Sequence, residues 1–252
     1  MTGGNNDDVL SYTAAGTAAA NATTGGGRDF MDGGANGALG DRAVFNGDGN
    51  TELFRIYAVG GTANAAQRTA LTTAGFTGAN AINPNAEIAV LRAVGQLIGT
   101  PAFNATNYRI VGELARVEEI TLNLAGSSLL QGLGNQTVQV FGNFAAPNTS
   151  LRTNTITIET EGNTVVDVTG MESEHRVVVQ SSGSGNSIIG QRPQDILAQL
   201  VTPEVVPLNP PTDETETNTG NEADTGNGNP SQALALNLQV VKDPVFDGDL
   251  PN

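Results

Sequence analysis

Apolar and polar positions alternate in short bursts along the middle of the chain. "QTVQVFGNF", "NTITIETEGN", "TVVDVTG", "HRVVVQSS" and "SIIG" each place Val, Ile or Thr at every second position, and Gly, Asn or Ser closes each one. This period of two predicts short strands with one face buried. Upstream, "LFRIYAV" (Leu53 to Val59), Glu87 to Ala93 and "EEITLNLAG" read as further strands, whereas "NAAQRTALTTAG" (Asn64 to Gly75) has helical composition. Each burst buries only one or two apolar side chains per face, so neighbouring segments must share a core. The pattern predicts an all-β fold, a parallel β-roll or β-helix-like solenoid or a stacked β-sheet module, with one short helix near 64–75. Four zones follow: residues 1–50, rich in Gly, Asn, Ala and Thr; a β-rich module over 51–200; a Pro-rich, acidic linker over 201–230; and a C-terminal strand segment over 231–252.

Composition narrows what such a fold can do. The chain has 252 residues, a formal charge of −15 and no cysteine, and Lys242 is the one lysine among its 11 basic residues. That field repels phosphate backbones and anionic lipid heads, which argues against nucleic-acid partners. With aromatic content of 4% and no Trp, the core must be built from Val, Ile, Leu and Ala. The absence of Cys removes disulfides, thiolate metal sites and cysteine nucleophiles. No apolar run reaches the ~18–20 residues that span a bilayer, so no membrane insertion is expected. "MTGGNNDDVL" has neither a basic nor an apolar signal region, so export by a cleaved N-terminal signal is not expected either.

Internal repetition is concentrated near the N-terminus. Against the nonapeptide G-G-x-G-x-D-x-U-x, in which U is a large apolar residue, Thr24 to Asp32 misses only the first glycine. Gly3 to Ser11 keeps Asp8 in the acidic place and Leu10 in the apolar one. Looser copies run from Gly33 to Asp41 with Ala38 in the Asp place, from Asn46 to Phe54 with Thr51, and from Ser182 to Gly190 with Ser187. Only Asp8 and Asp29 keep the acidic position, and they stand 21 residues apart.

This pattern resembles that of the RTX, or haemolysin-type calcium-binding, secreted bacterial proteins. "NGDGNTELFRIYAV", "NAINPNAEIAV", "ELARVEEITLNL", "NTITIETEGNTVVDVTGM", "EHRVVVQSSGSGNSIIG" and "RPQDIL", within about residues 40–197, resemble a non-repeat module of very large alphaproteobacterial RTX proteins. The resemblance implies type I secretion, a parallel β-roll, an extracellular or cell-surface location, and folding driven by calcium. Its calcium ligands would be Asp8 and Asp29; in this sequence Asp32, Asp41 and Asp48 are the off-pattern carboxylates that would have to make up the remaining oxygens. Calcium needs six to eight oxygens, so one complete turn alone does not make a site.

Other chemistry is sparse. His175, the one histidine, sits between Glu174 and Arg176 and reads as a solvated turn residue; a His/Cys zinc site cannot be built. Glu118 and Glu119 are adjacent and face opposite sides of a strand. Asp167, Glu159 and Glu161 are the carboxylates that would have to converge in a groove for polysaccharide hydrolysis. The reading that fits is a non-enzymatic structural or interaction module of adhesin, surface-layer or fibre-forming type, with self-association, other surface proteins or polysaccharide as partners. A carbohydrate-active β-helix enzyme and a phage tail-fibre or spike module are the alternatives.

Overall fold

The structure, a computed structural model, describes residues 1–13, 28–35, 38–47, 53–93, 102–124, 136–145, 150–152 and 156–199. These belong to one compact unit, Met1–Glu204; a second unit, Val205–Asn252, lies outside the described residues, and with it most of the expected linker and all of the C-terminal strand segment.

Thirteen strands are described: β1 (Val9–Thr13), β2 (Asp29–Asp32), β3 (Arg42–Asn46), β4 (Leu53–Ala58), β5 (Ile88–Ala93), β6 (Tyr108–Ala115), β7 (Glu119–Leu124), β8 (Gln136–Gly142), β9 (Ile156–Thr160), β10 (Thr164–Met171), β11 (Val177–Ser181), β12 (Ser187–Ile189) and β13 (Ile196–Gln199). One α-helix, α1 (Ala65–Thr73), joins them among the described residues, within the segment read as helical. The strands form two sheets. Six lie in the order β1-β3-β7-β9-β11-β13, all parallel, and seven in the order β12-β10-β8-β4-β5-β6-β2. From β6 to β13, successive strands alternate between the sheets.

The expected parallel β-roll or β-helix-like solenoid is overturned by the second sheet, which is mixed: β5 runs antiparallel to both β4 and β6. The cause is local. After β4 the chain turns outward at Gly60 and Gly61, forms α1, and returns to the end it left. There the Val59 and Gly60 N–H groups both donate to the Glu87 carbonyl, at 2.7 and 2.8 Å, so β5 can only run back along β4. An all-β fold with one short helix remains a fair description.

Alternation along the strands fills the space between the sheets. Leu10, Phe45, Ile56, Val90, Leu122, Val140, Ile158, Val166 and Val179 belong to one continuous buried cluster. Fully burying such a side chain contributes roughly 1.5–3 kcal/mol before entropy is counted, so the shared core holds the short strands in place. A second, aromatic cluster lies under α1 on the outer face of the mixed sheet, with Tyr57, Phe76, Tyr108 and the partly buried Phe103 and Phe141. Arg55 lies over this cluster, 4.2 Å from the Phe103 ring centroid. The apolar positions of the two best nonapeptides, Leu10 and Met31, face the main core.

Candidate functional site

Polar side chains gather at one rim, where the chain passes from the mixed sheet into the parallel one. Wide turns leave backbone amides that no ladder satisfies, and buried amides need acceptors. Carboxylates supply them. The residue just before β1, β3 and β7 is acidic in each case, and these three acids stand in a column. Asp8 donates its N–H to Asp41 Oδ1 at 2.7 Å, and Asp41 donates its own to Glu118 Oε2 at 2.7 Å. The main chain repeats the step: Arg42 N–H bonds Asp8 O, and the N–H groups of Glu118 and Glu119 bond Asp41 O. Asp8 Oδ2 also accepts from Gly4 N–H, and Asp7 Oδ1 accepts from the amides of Leu39 and Gly40. Charge-assisted bonds of this kind are about twice as strong as neutral ones.

One atom of the column is left over. Asp41 is fully buried, yet its Oδ2 has no hydrogen-bond partner. It lies against Gly33, where a Cβ would come within 2.2 Å of Oδ2 and 2.0 Å of the Arg116 carbonyl oxygen. Two acceptors therefore converge beside a glycine that leaves room for them. The neighbouring turns, Gly3–Gly4 and Gly33–Gly34, are stacked, with the Gly33 carbonyl oxygen and Asp8 Oδ2 beside Gly3.

Of the five carboxylates expected to supply calcium oxygens, Asp8 and Asp41 meet at this rim. Asp32 reaches it too, but both of its oxygens are bound by Arg116, at 2.7 and 2.6 Å. That hydrogen bond outweighs burial and holds the Asp32 carboxyl below its ordinary value. Asp29 begins β2 and lies at the opposite end of that strand, roughly 10 Å away at strand spacing. Asp48 lies outside the described residues, as do Thr24–Gly27 of the best nonapeptide. Among the described residues, no group of three or more His, Cys, Asp or Glu side chains is placed to hold a metal ion. Asp41 keeps one carboxylate oxygen unpartnered, whereas both oxygens of Asp32 are taken by Arg116.

Further along the rim, sequence reasoning misplaced His175. It is 4% exposed rather than solvated, with Nε2 donating to Leu151 O and Nδ1 accepting from Ser173 Oγ, both at 3.1 Å. Burial pushes its pKa down from 6.5, the Leu151 carbonyl opposes this, and the nearby Arg192 charge adds to it. Asp195, just before β13, accepts the Val177 N–H at 3.0 Å and pairs with Arg192. Burial is the largest single influence on Asp195 and raises its pKa, but Arg192 and two backbone amides together outweigh it and leave the pKa lowered. Glu87 is the opposite case: burial raises it, only partly offset by the amides of Ser150 and Arg116, and Glu118 adds repulsion. Glu87, Glu118 and Asp195 were not singled out as rim acceptors from the sequence. An acid immediately before an alternating apolar segment is the signal that marks Glu118 and Asp195.

Two outer faces complete the surface. On the parallel sheet, register aligns Thr121 with Thr157, and Asn46, Asn123, Glu159 and Gln180 in a second row. A shallow groove of about 210 Å³ runs there between Arg42, Glu119, Thr157 and Gln180. Asp167 lies on the outside of the mixed sheet, bonded to Thr169 and Gln139. Glu159 and Asp167 thus face away from each other on opposite sides of the molecule and do not form a carboxylate couple. No helix among the described residues is long and apolar enough to cross a membrane. No protein-family model, curated protein or solved structure matches the chain.

Proposed function

We propose that this chain is a structural or interaction module of an extracellular bacterial surface protein, of adhesin, surface-layer or fibre-forming type. The observation that supports this reading best is the outer face of the parallel sheet, where hydroxyl, amide and carboxylate side chains stand in rows at the ~4.8 Å spacing of neighbouring strands. Asn46 Nδ2 reaches Ser11 Oγ at 3.2 Å and Asn123 Nδ2 reaches Asn46 Oδ1 at 3.4 Å, so the rows are partly ordered before any partner arrives. Such a surface offers repeated hydrogen-bonding groups to a repetitive partner, and a polysaccharide is the simplest. Calcium enters as a stabiliser of the glycine turns beside Asp8 and Asp41, supported by the unpartnered Asp41 oxygen and the RTX-like nonapeptides.

One experiment separates this reading from the enzymatic alternative. The whole chain is incubated with a panel of insoluble acidic and neutral polysaccharides, and both retention and newly formed reducing ends are measured. Retention that Thr157→Arg and Gln180→Arg weaken, with no reducing ends formed, supports a binding face. Release of reducing ends, or the same retention in both variants, overturns it.

A further inference from the structure

The two ends of the strand stack differ. At the N-terminal end, residues Met1–Gly3 run along the outer edge of β2: the N-terminal amine donates to Phe30 O at 2.6 Å, Asp32 N–H to Met1 O at 3.0 Å, and Gly3 N–H to Asp32 O at 2.7 Å. The inward side chains of that end, Leu10, Tyr12 and Met31, are buried. At the other end, β12 and β13 are the last strands of their sheets among the described residues. Leu197 stands in register with Val179, which is fully buried, yet Leu197 itself is 40% exposed. Ile188 is likewise only partly buried, beside the fully buried Val166. Ile189 and Ile196, on the outer faces, are 50% and 40% exposed.

Edge strands are normally guarded by charge, proline or a bulge. Neither "SII" of β12 nor "ILAQ" of β13 has a charged residue or a proline. The ion pair in the turn between them, Arg192 with Asp195 at 3.0 Å, is mutually neutralised. In a chain of net charge −15, a second copy is repelled by most of the surface and meets no unbalanced charge on these two strands.

We propose that two copies of the chain pair through this end about a twofold axis normal to the sheets, β13 against β13 and β12 against β12. Rotation about that axis keeps each sheet in its own plane and reverses its strands, so both sheets continue antiparallel into the partner. Leu197 and Ile188 of the two copies then meet across the joined core. The interface is isologous and closes at two copies. A head-to-tail stack would need the edge of β2, which Met1–Gly3 already occupy. This inference rests on the interaction-module reading and names a second copy as one partner.

Sedimentation equilibrium on the full chain from about 1 μM to 1 mM covers the range in which such an interface associates. A monomer–dimer equilibrium is expected, weakened at least tenfold by Ile196→Lys and by Ile189→Lys. Both side chains point outward, so circular dichroism and melting should hardly change. Because the chain has no native cysteine, Ile196→Cys and Ala198→Cys add an independent readout: an antiparallel β13 pair brings a residue near its own mate, and at least one variant should form a disulfide dimer under mild oxidation. A monomer at every concentration, with this end met by another part of the chain or by a different partner, overturns the proposal. So do open-ended polymers, or a dimer that neither lysine disturbs and neither cysteine traps. A monomer that is still retained on polysaccharide sinks this inference alone. An intact dimer with no retention sinks the binding face alone.

Discussion

Replacing Asp41 with asparagine reports directly on its orphan oxygen. Asp41→Asn keeps Oδ1 as acceptor for the Asp8 N–H and exchanges the unpartnered Oδ2 for an amide NH₂ beside the Arg116 carbonyl oxygen. A buried acceptor left unmade costs about 1–3 kcal/mol, and a new neutral hydrogen bond contributes about 1 kcal/mol net. The substitution also removes one of the negative charges stacked at this rim. In chelator, Asp41→Asn should therefore stabilise the chain by roughly 1–2 kcal/mol, about 2–8 °C in midpoint for a domain of this size. Asp41→Ala loses the acceptor for Asp8 N–H and should destabilise by about 1–3 kcal/mol. If the ion sits at Asp41, calcium at a hundredfold excess over the dissociation constant should stabilise the wild type by about 2.7 kcal/mol, raising its midpoint above that of Asp41→Asn, which should stay nearly unchanged. Differential scanning calorimetry in millimolar calcium and then in chelator reads all of these terms. If Asp41→Asn destabilises in chelator as much as Asp41→Ala does, the orphan oxygen is not a liability and the reasoning fails. An unchanged wild-type midpoint in calcium removes the ion from this rim.

His175 should make stability fall as the solution is acidified. Its pKa is held below 6.5 in the folded chain, so the unfolded chain binds a proton first; the stability present above about pH 6.5 is lost as pH falls toward the folded pKa, with a slope of at most about 1.4 kcal/mol per unit. Urea unfolding between pH 5 and 7.5 should show this slope in the wild type and not in His175→Gln, and identical profiles would refute it. A Cβ on Gly112 would lie 2.5 Å from two atoms of the buried Phe45 ring, so Gly112→Ala should cost about 1–3 kcal/mol by overpacking; Phe45→Leu in the same chain should recover part of that loss, and simple additivity in a double-mutant cycle would count against the contact. Arg55→Gln, which takes the cation from above Phe103, Tyr108 and Phe141, should lower stability by about 1–2 kcal/mol at any salt concentration, and a loss that disappears in high salt would point to a surface charge effect instead.

Strand identity was legible because it depends on side-chain alternation, which is local. "QTVQVFG" became β8 with the burial alternating along its length, and "VVVQS" became β11 in the same way. Sheet membership and direction were not legible, because they depend on connections. Nothing in "LFRIYAV" distinguishes a strand that leaves through a parallel crossover from one whose partner returns beside it. That choice was made some thirty residues later, where the Glu87 carbonyl collects the amides of Val59 and Gly60. A pattern of period two carries no information about that distance, so the parallel roll was a natural extrapolation and the antiparallel β4–β5–β6 region its correction.

The rim was legible in part, for a related reason. The nonapeptide frame singles out Asp8 because the turn before β1 is local, and the core positions Leu10 and Met31 follow from the same frame. It could not show that Asp32 would be held by an arginine 84 residues away, or that Glu118 would carry the column on from Asp41. A motif describes what one turn offers, while coordination and hydrogen bonding depend on what the adjacent turn brings. Here the adjacent turns bring Arg116, Glu118 and backbone amides, so most rim carboxylates are already occupied by the protein's own donors. Among the described residues of this rim, Asp41 Oδ2 is the buried carboxylate oxygen that no donor reaches. At that atom a repeat that binds metal and a repeat that satisfies itself are chemically distinguishable, because the first gains from a cation and the second from an amide.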